Sequence, residues 1–168
     1  RTVQVGAFAL SGPLSLDSAS AITSAVGSYT VQLRDRLAAA GTVLAEVYDA
    51  SPSSQIGERT PRLVNLSPRA RVEPEGGILT AGFVVGGLTP ATVLVRAVGP
   101  ALAAFGVEGV LADPRMQLYR STTLINENDD WDGESQVSGL ANSVGAFALP
   151  SGGSKDAVML VTLPPGAY

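Results

Sequence analysis

Asn128, Asp130 and Asp132 stand two residues apart in the stretch "NENDDWDGE", residues 126–134, and Glu134 closes it. The stretch holds five of the fifteen acidic residues of the chain. Oxygens at positions 1, 3 and 5 followed by a glycine at position 6 (Gly133) begin the ligand order by which a loop wraps calcium. Position 12, where an EF-hand supplies a bidentate carboxylate, is Gly139. The loop is therefore not an EF-hand, and any further ligands come from elsewhere. Two expectations stand side by side. One is a calcium site built on Asn128, Asp130, Asp132 and Glu134. The other is a solvated acidic turn whose side chains cap their own backbone.

Trp131 sits inside this loop and is the only tryptophan. It is either a platform for a sugar ring or the anchor that pins the loop to a sheet. Arg62, Arg69 and Arg71, with Arg59, lie in a proline-flanked stretch. They suit a phosphate or sulfated glycan, and equally a strand edge protected by charge. Arg96 interrupts the apolar run "TVLVRAV" and is read as structural, since an interior strand demands a partner for it.

Much other chemistry is excluded by composition. The chain has no cysteine and no histidine. Disulfides, thiolate or imidazole metal sites, cysteine nucleophiles and Ser-His-Asp triads are out of reach. Carboxylate pairs concentrate in the acidic loop, and no glycine-rich phosphate cradle is present, so no enzyme is expected. Charged residues are 15% of the chain and the net charge is −4, which disfavours nucleic acid as a partner. No apolar run reaches the length of a membrane span. The chain begins at Arg1 and is read as a processed or excised piece of something longer.

The elements that would position these residues are mostly strands. "YTVQLR" (29–34) and "TVLAEVYD" (42–49) alternate apolar and polar residues. "ILTAGFVV", "ATVLVRAV", "RMQLYR", "AVMLVTL" and "RLVNLS" add short β-prone runs between Gly and Pro turns. Short helical turns are expected at 99–107 and, less regularly, at 133–145, and "RDRLAAAG" fits a helical turn or a hairpin loop. The fold class is all-β, an antiparallel sandwich or jelly-roll with one or two helical turns. Alternation predicts core positions at Val31, Leu33, Val43, Val47, Phe83, Val93, Val95, Leu118 and Leu160.

One feature concerns organisation. "VGAFAL" occurs at 5–10 and again at 144–149. The same shift of 139 lays Ser15 on Ser154, Asp17 on Asp156, Thr23 on Thr162, Gly27 on Gly166 and Tyr29 on Tyr168, without a gap. Eleven identities over 29 positions make this an internal repeat. Residues 1–29 read as the end of a preceding repeat, a candidate donor segment, and 30–168 as one 139-residue β module in permuted order.

"PRLVNLSPRARV", "AGFVVGG", "VLVRAVGPALAAFGVEGVLADPRMQLY", "NENDDWDG", "VGAFALPSGGSKDAVMLVTLPPGAY" and "GTVLAEVYD" resemble tandem β modules of large secreted bacterial proteins. The later part also resembles the bacterial pre-peptidase C-terminal domain, a β-sandwich accessory of secreted enzymes. The resemblance implies an extracellular or cell-surface module without catalysis of its own. Together with the repeat, it sets the expectation of a structural module whose partners are copies of itself or adjacent repeats. Val5, Ala7, Phe8, Leu10, Tyr29, Val31 and Leu33 would make the joint, and the assembly would be a filament built by strand complementation. The alternative expectation is a calcium-dependent module that binds carbohydrate or a cell surface through the acidic loop.

Overall fold

The computed structural model describes residues 16–37, 41–51, 54, 56–74, 76–133, 135–150 and 153–168. The chain forms two units, Arg1–Leu66 and Ser67–Tyr168.

The second unit carries the regular structure. In chain order it contains β1 (Val84–Val85), β2 (Ala91–Ala97), a 3₁₀ helix (Pro100–Phe105), β3 (Met116–Arg120), β4 (Thr123–Asn128), α1 (Ser135–Ser143), β5 (Ala157–Leu163) and β6 (Gly166–Ala167). The strands make three antiparallel two-stranded sheets, β1–β6, β2–β5 and β3–β4. With little helix beside them, the chain is β-rich as its composition predicts. Both expected helical turns are present, each a little shorter than read.

The β2–β5 ladder is the longest. It runs seven residues without a slip, from Ala91 opposite Leu163 to Ala97 opposite Ala157. Both strands are runs of β-branched and aliphatic residues, bounded by Pro90 and Gly99 on one side and Asp156 and Pro164 on the other. Side chains alternate across the ribbon. Val93, Val95, Met159, Val161 and Leu163 join Val85 and Leu118 in one apolar core, with Phe83, Met116 and Tyr168 packed on it. The other face carries Thr92, Leu94 and Arg96 opposite Thr162, Leu160 and Val158.

The remaining pieces attach to that ribbon. β3 and β4 form a hairpin over Ser121 and Thr122, with a bulge at Leu118/Tyr119. Phe83 and Tyr168 exchange both backbone hydrogen bonds (3.0 and 2.9 Å) and stack their rings 5.7 Å apart, extending the short β1–β6 pair. The 3₁₀ helix starts at Pro100, whose missing N–H costs nothing there. It stops at Gly106, in the left-handed region with φ 74°. Gly99 just before it has no room for a side chain: a Cβ would collide with the Leu111 carbonyl.

The first unit departs from expectation. Among its described residues there is no β-strand. The alternating stretches 29–34 and 42–49 form no strand, and neither does "RLVNLS". Val31, Leu33, Val43 and Val47, read as core, are exposed at 75%, 52%, 67% and 49%. Alternation states which residues could share a face, whereas a strand forms only against a partner ladder. "ILTAGFVV" likewise narrows to Val84–Val85. Of the other expected core positions, Leu118 is buried, and Phe83, Val93, Val95 and Leu160 are half-buried.

Leu163→Ala should lower the unfolding free energy by about 2–4 kcal/mol, as for a buried leucine. Val31→Ala should change it by less than about 0.5 kcal/mol. Urea unfolding followed by tryptophan fluorescence measures both.

Candidate functional site

The acidic loop is built into the second unit. Asn128 ends β4, and its side-chain oxygen accepts the backbone N–H of Val158 in β5 (2.8 Å). Both carboxylate oxygens of Asp130 accept from Lys155, each at 2.9 Å. The Asp130 charge holds the Lys155 ammonium above its ordinary pKa, chiefly through that hydrogen bond. Trp131 forms a β-bridge with Ser154 and donates its indole N–H to the Pro150 carbonyl (3.0 Å). Asp132 stays exposed, and Glu134 lies outside the described residues. The loop thus clasps the chain between Pro150 and Val158. Two of its four sequence-predicted ligands face protein donors instead of one another. Among the described residues no group of three or more acidic side chains is gathered as for a metal.

Trp131 is 6% exposed. The ring packs within the second unit, and its polar edge is satisfied internally. Arg62 pairs with Asp49 in the first unit. In the second unit Arg71 meets Glu73 at 3.4 Å, both exposed, and Arg69 is exposed. The Asp49 carboxyl is lowered to about 2, first by the hydroxyl and N–H of Ser51 and then by Arg62. Tyr29, Val31 and Leu33 are exposed, while Val5, Ala7, Phe8 and Leu10 lie outside the described residues.

Two polar residues, Asp156 fully buried and Arg96 half-buried, matter more to the architecture than any of these. Asp156, just before β5, is fully buried. Its Oδ1 accepts the N–H groups of Gly99 (2.8 Å) and Ala101 (3.3 Å), the free donors at the start of the 3₁₀ helix. Its Oδ2 accepts the hydroxyl of Ser154. One carboxylate therefore ties the end of β2 to the beginning of β5.

Arg96 lies on the ribbon face that carries Thr92 and Leu94, and it feels the charge of that carboxylate. Its Nη1 donates to the Phe147 carbonyl (2.8 Å), and its guanidinium lies 4.4 Å from the Phe147 ring centre. Nη2 is buried with no protein partner among the described residues. Burial lowers the Arg96 pKa, and the charge of Asp156 opposes that shift. The cavity around it, lined by Trp131, Val137, Ala141, Phe147 and Leu149, measures about 50 Å³. That admits a water or two, whereas small-molecule pockets span about 300–1,000 Å³.

Asp156 and Phe147 were missed as individual residues in the sequence reading, although both fall on identities of the 139-residue repeat. The chain matches no protein-family model, and comparison with curated proteins and with solved structures likewise finds no match.

Asp156→Ala leaves two buried N–H groups without an acceptor and should cost about 2–4 kcal/mol, with Asp156→Asn milder because it keeps an acceptor. Thermal and urea unfolding measure the difference. Titrating calcium against Trp131 fluorescence should give no response while Lys155 holds Asp130. A saturable response abolished by Asp130→Asn would restore the cation reading.

Proposed function

We propose that the chain is a non-catalytic extracellular structural module that associates end to end with copies of itself, by exchange of β-strands, into a surface fibre. The observation that carries the reading is a hydrogen bond found twice. Tyr29 donates its hydroxyl to the Ala25 carbonyl at 2.8 Å, and Tyr168 donates its hydroxyl to the Pro164 carbonyl at 2.8 Å. The two pairs are related by the same shift of 139 that relates the sequences. Tyr29 and Tyr168 thus share a hydrogen bond to the carbonyl four residues before them, and not only letters.

Exposure supports the same reading. Leu16, Ile22, Val26 and Tyr29 are exposed at 100%, 76%, 85% and 61%. Apolar side chains gathered along one stretch mark an interaction segment more than a solvated one. The family resemblance adds secretion and tandem arrangement. Buried charge serves structure in this reading: Asp156 and Arg96 hold backbone groups, and the acidic loop clasps β5.

Sedimentation velocity and electron microscopy over a concentration series test the proposal. End-to-end oligomers that lengthen with concentration are expected. A single monomeric species at the highest soluble concentration would overturn it.

A further inference from the structure

The repeat keeps some residues and lets others drift, and the second unit shows what the kept ones do. Beyond the hexapeptide, the identities fall at Ser154, Asp156, Thr162, Gly166 and Tyr168. Ser154 donates its hydroxyl to Asp156, and Asp156 accepts the N–H groups of Gly99 and Ala101. The Thr162 hydroxyl lies 2.9 Å from that of Thr92, directly across the ladder. Gly166 packs so near Arg120 that a Cβ would stand 3.3 Å from its guanidinium. Tyr168 exchanges backbone hydrogen bonds with Phe83 and stacks on its ring. All five hold the β5–β6 segment in place, and four of them touch the framework of residues 83–120.

Between them the residues change: Val161 corresponds to Ile22, Leu160 to Ala21 and Pro164 to Ala25, while the buried Met159 and Leu163 correspond to Ser20 and Ser24. These positions keep an apolar or small character and nothing more. The first copy therefore carries the docking residues of β5–β6 at the same spacing: Ser15, Asp17, Thr23, Gly27 and Tyr29. Ser15 lies outside the described residues. Residues 16–29 are exposed throughout and belong to no ladder among the described residues.

We propose that residues 16–29 are a second closing segment, which docks on the 83–120 framework of another copy of this chain in the register that 155–168 use at home. This deepens the fibre reading and rests on it. Ile22 then faces Val93, Thr23 faces Thr92, Gly27 and Ser28 face Val85 and Val84, and Asp17 receives the N–H groups of Gly99 and Ala101. The framework holds 157–167 in its own chain. Docking is accordingly an exchange, in which the incoming segment displaces the resident one. Loosening the resident strand favours it, and mutating Asp17 disfavours it.

The absence of cysteine makes introduced thiols unique, so register can be read by disulfide formation in the full chain. The donor carries Ile22→Cys. The acceptor carries Val93→Cys with Thr162→Val, which loosens the resident strand by one exposed hydrogen bond. The two are mass-labelled, mixed and oxidised in a thiol buffer. The mixed dimer should form in about tenfold higher yield than with Thr92→Cys in place of Val93→Cys, because neighbouring positions point to opposite faces. Adding Asp17→Ala to the donor should remove most of it. Should Thr162→Val impair folding, an acceptor with Thr162 intact, at higher concentration, must give the same preference. Equal yields at positions 92 and 93, no mixed dimer, or indifference to Asp17 would overturn the proposal. Oligomers in the sedimentation series without this register preference would place the joint elsewhere and leave the fibre reading standing. A register-specific dimer without longer oligomers would establish the docking and remove the fibre.

Discussion

The β2–β5 ladder joins residues seventy positions apart, as in the Thr92–Thr162 pair, and the rest of the second unit is arranged around that closure. Closing so long a loop carries an entropic cost before any contact repays it. Apolar pairing across the ladder supplies much of the return, since Val93, Val95, Met159 and Leu163 share one core. The ends need more than apolar contact, because a strand that begins in the wrong place exposes its whole face. Asp156 fixes that beginning. It accepts two N–H groups from the turn after β2, in a site with no solvent to replace them. Asn128, Asp130 and Trp131 grip the same stretch at Val158, Lys155 and Ser154. The acidic loop, which reads as a metal site from spacing alone, is bound up in that closure.

Different parts of the structure were legible in the sequence for different physical reasons. β2 and β5 were plain because long β-branched runs between Pro and Gly have few other uses. The 3₁₀ helix was visible from Pro100 and the small residues after it. The alternating segments of the first unit misled, because alternation is a property of one strand and pairing a property of two. Trp131 was ambiguous for a similar reason: an indole in an acidic loop suits a sugar or a core equally, and only the Pro150 carbonyl decides. Asp156 was hidden among common residues in "GGSKDAV". A lone aspartate before a strand is ordinary, and only its recurrence at 139 residues marks it.

Arg96 illustrates how a half-buried charge can be managed without a salt bridge. Its partners are the Phe147 carbonyl, the Phe147 ring and the nearby Asp156 charge. Phe147 belongs to the hexapeptide that occurs twice. The repeated "VGAFAL" therefore has a structural role in at least its second copy: it covers the one cation of the longest ladder, one pair from its end. A half-buried arginine left without that cover would keep part of its desolvation cost uncompensated.

Beyond its apolar hexapeptide, why would the repeat keep an aspartate, a threonine and a tyrosine while the aliphatic residues between them change? An apolar face constrains a strand loosely, because sliding by two residues returns every side chain to the same side. Ile for Val or Ala for Leu alters the strength of pairing without altering its register. A buried carboxylate behaves differently. Shifted by two residues, the Asp156 side chain would leave Gly99 and Ala101 without an acceptor and bury its own charge unpaired. Tyr168 shifted likewise would lose Phe83. The spacing Asp–Thr–Gly–Tyr at 156, 162, 166 and 168 admits one register, and the same spacing at 17, 23, 27 and 29 addresses the same one. A segment needing only to be sticky would keep its leucines, whereas one that must dock in a single register keeps its aspartate.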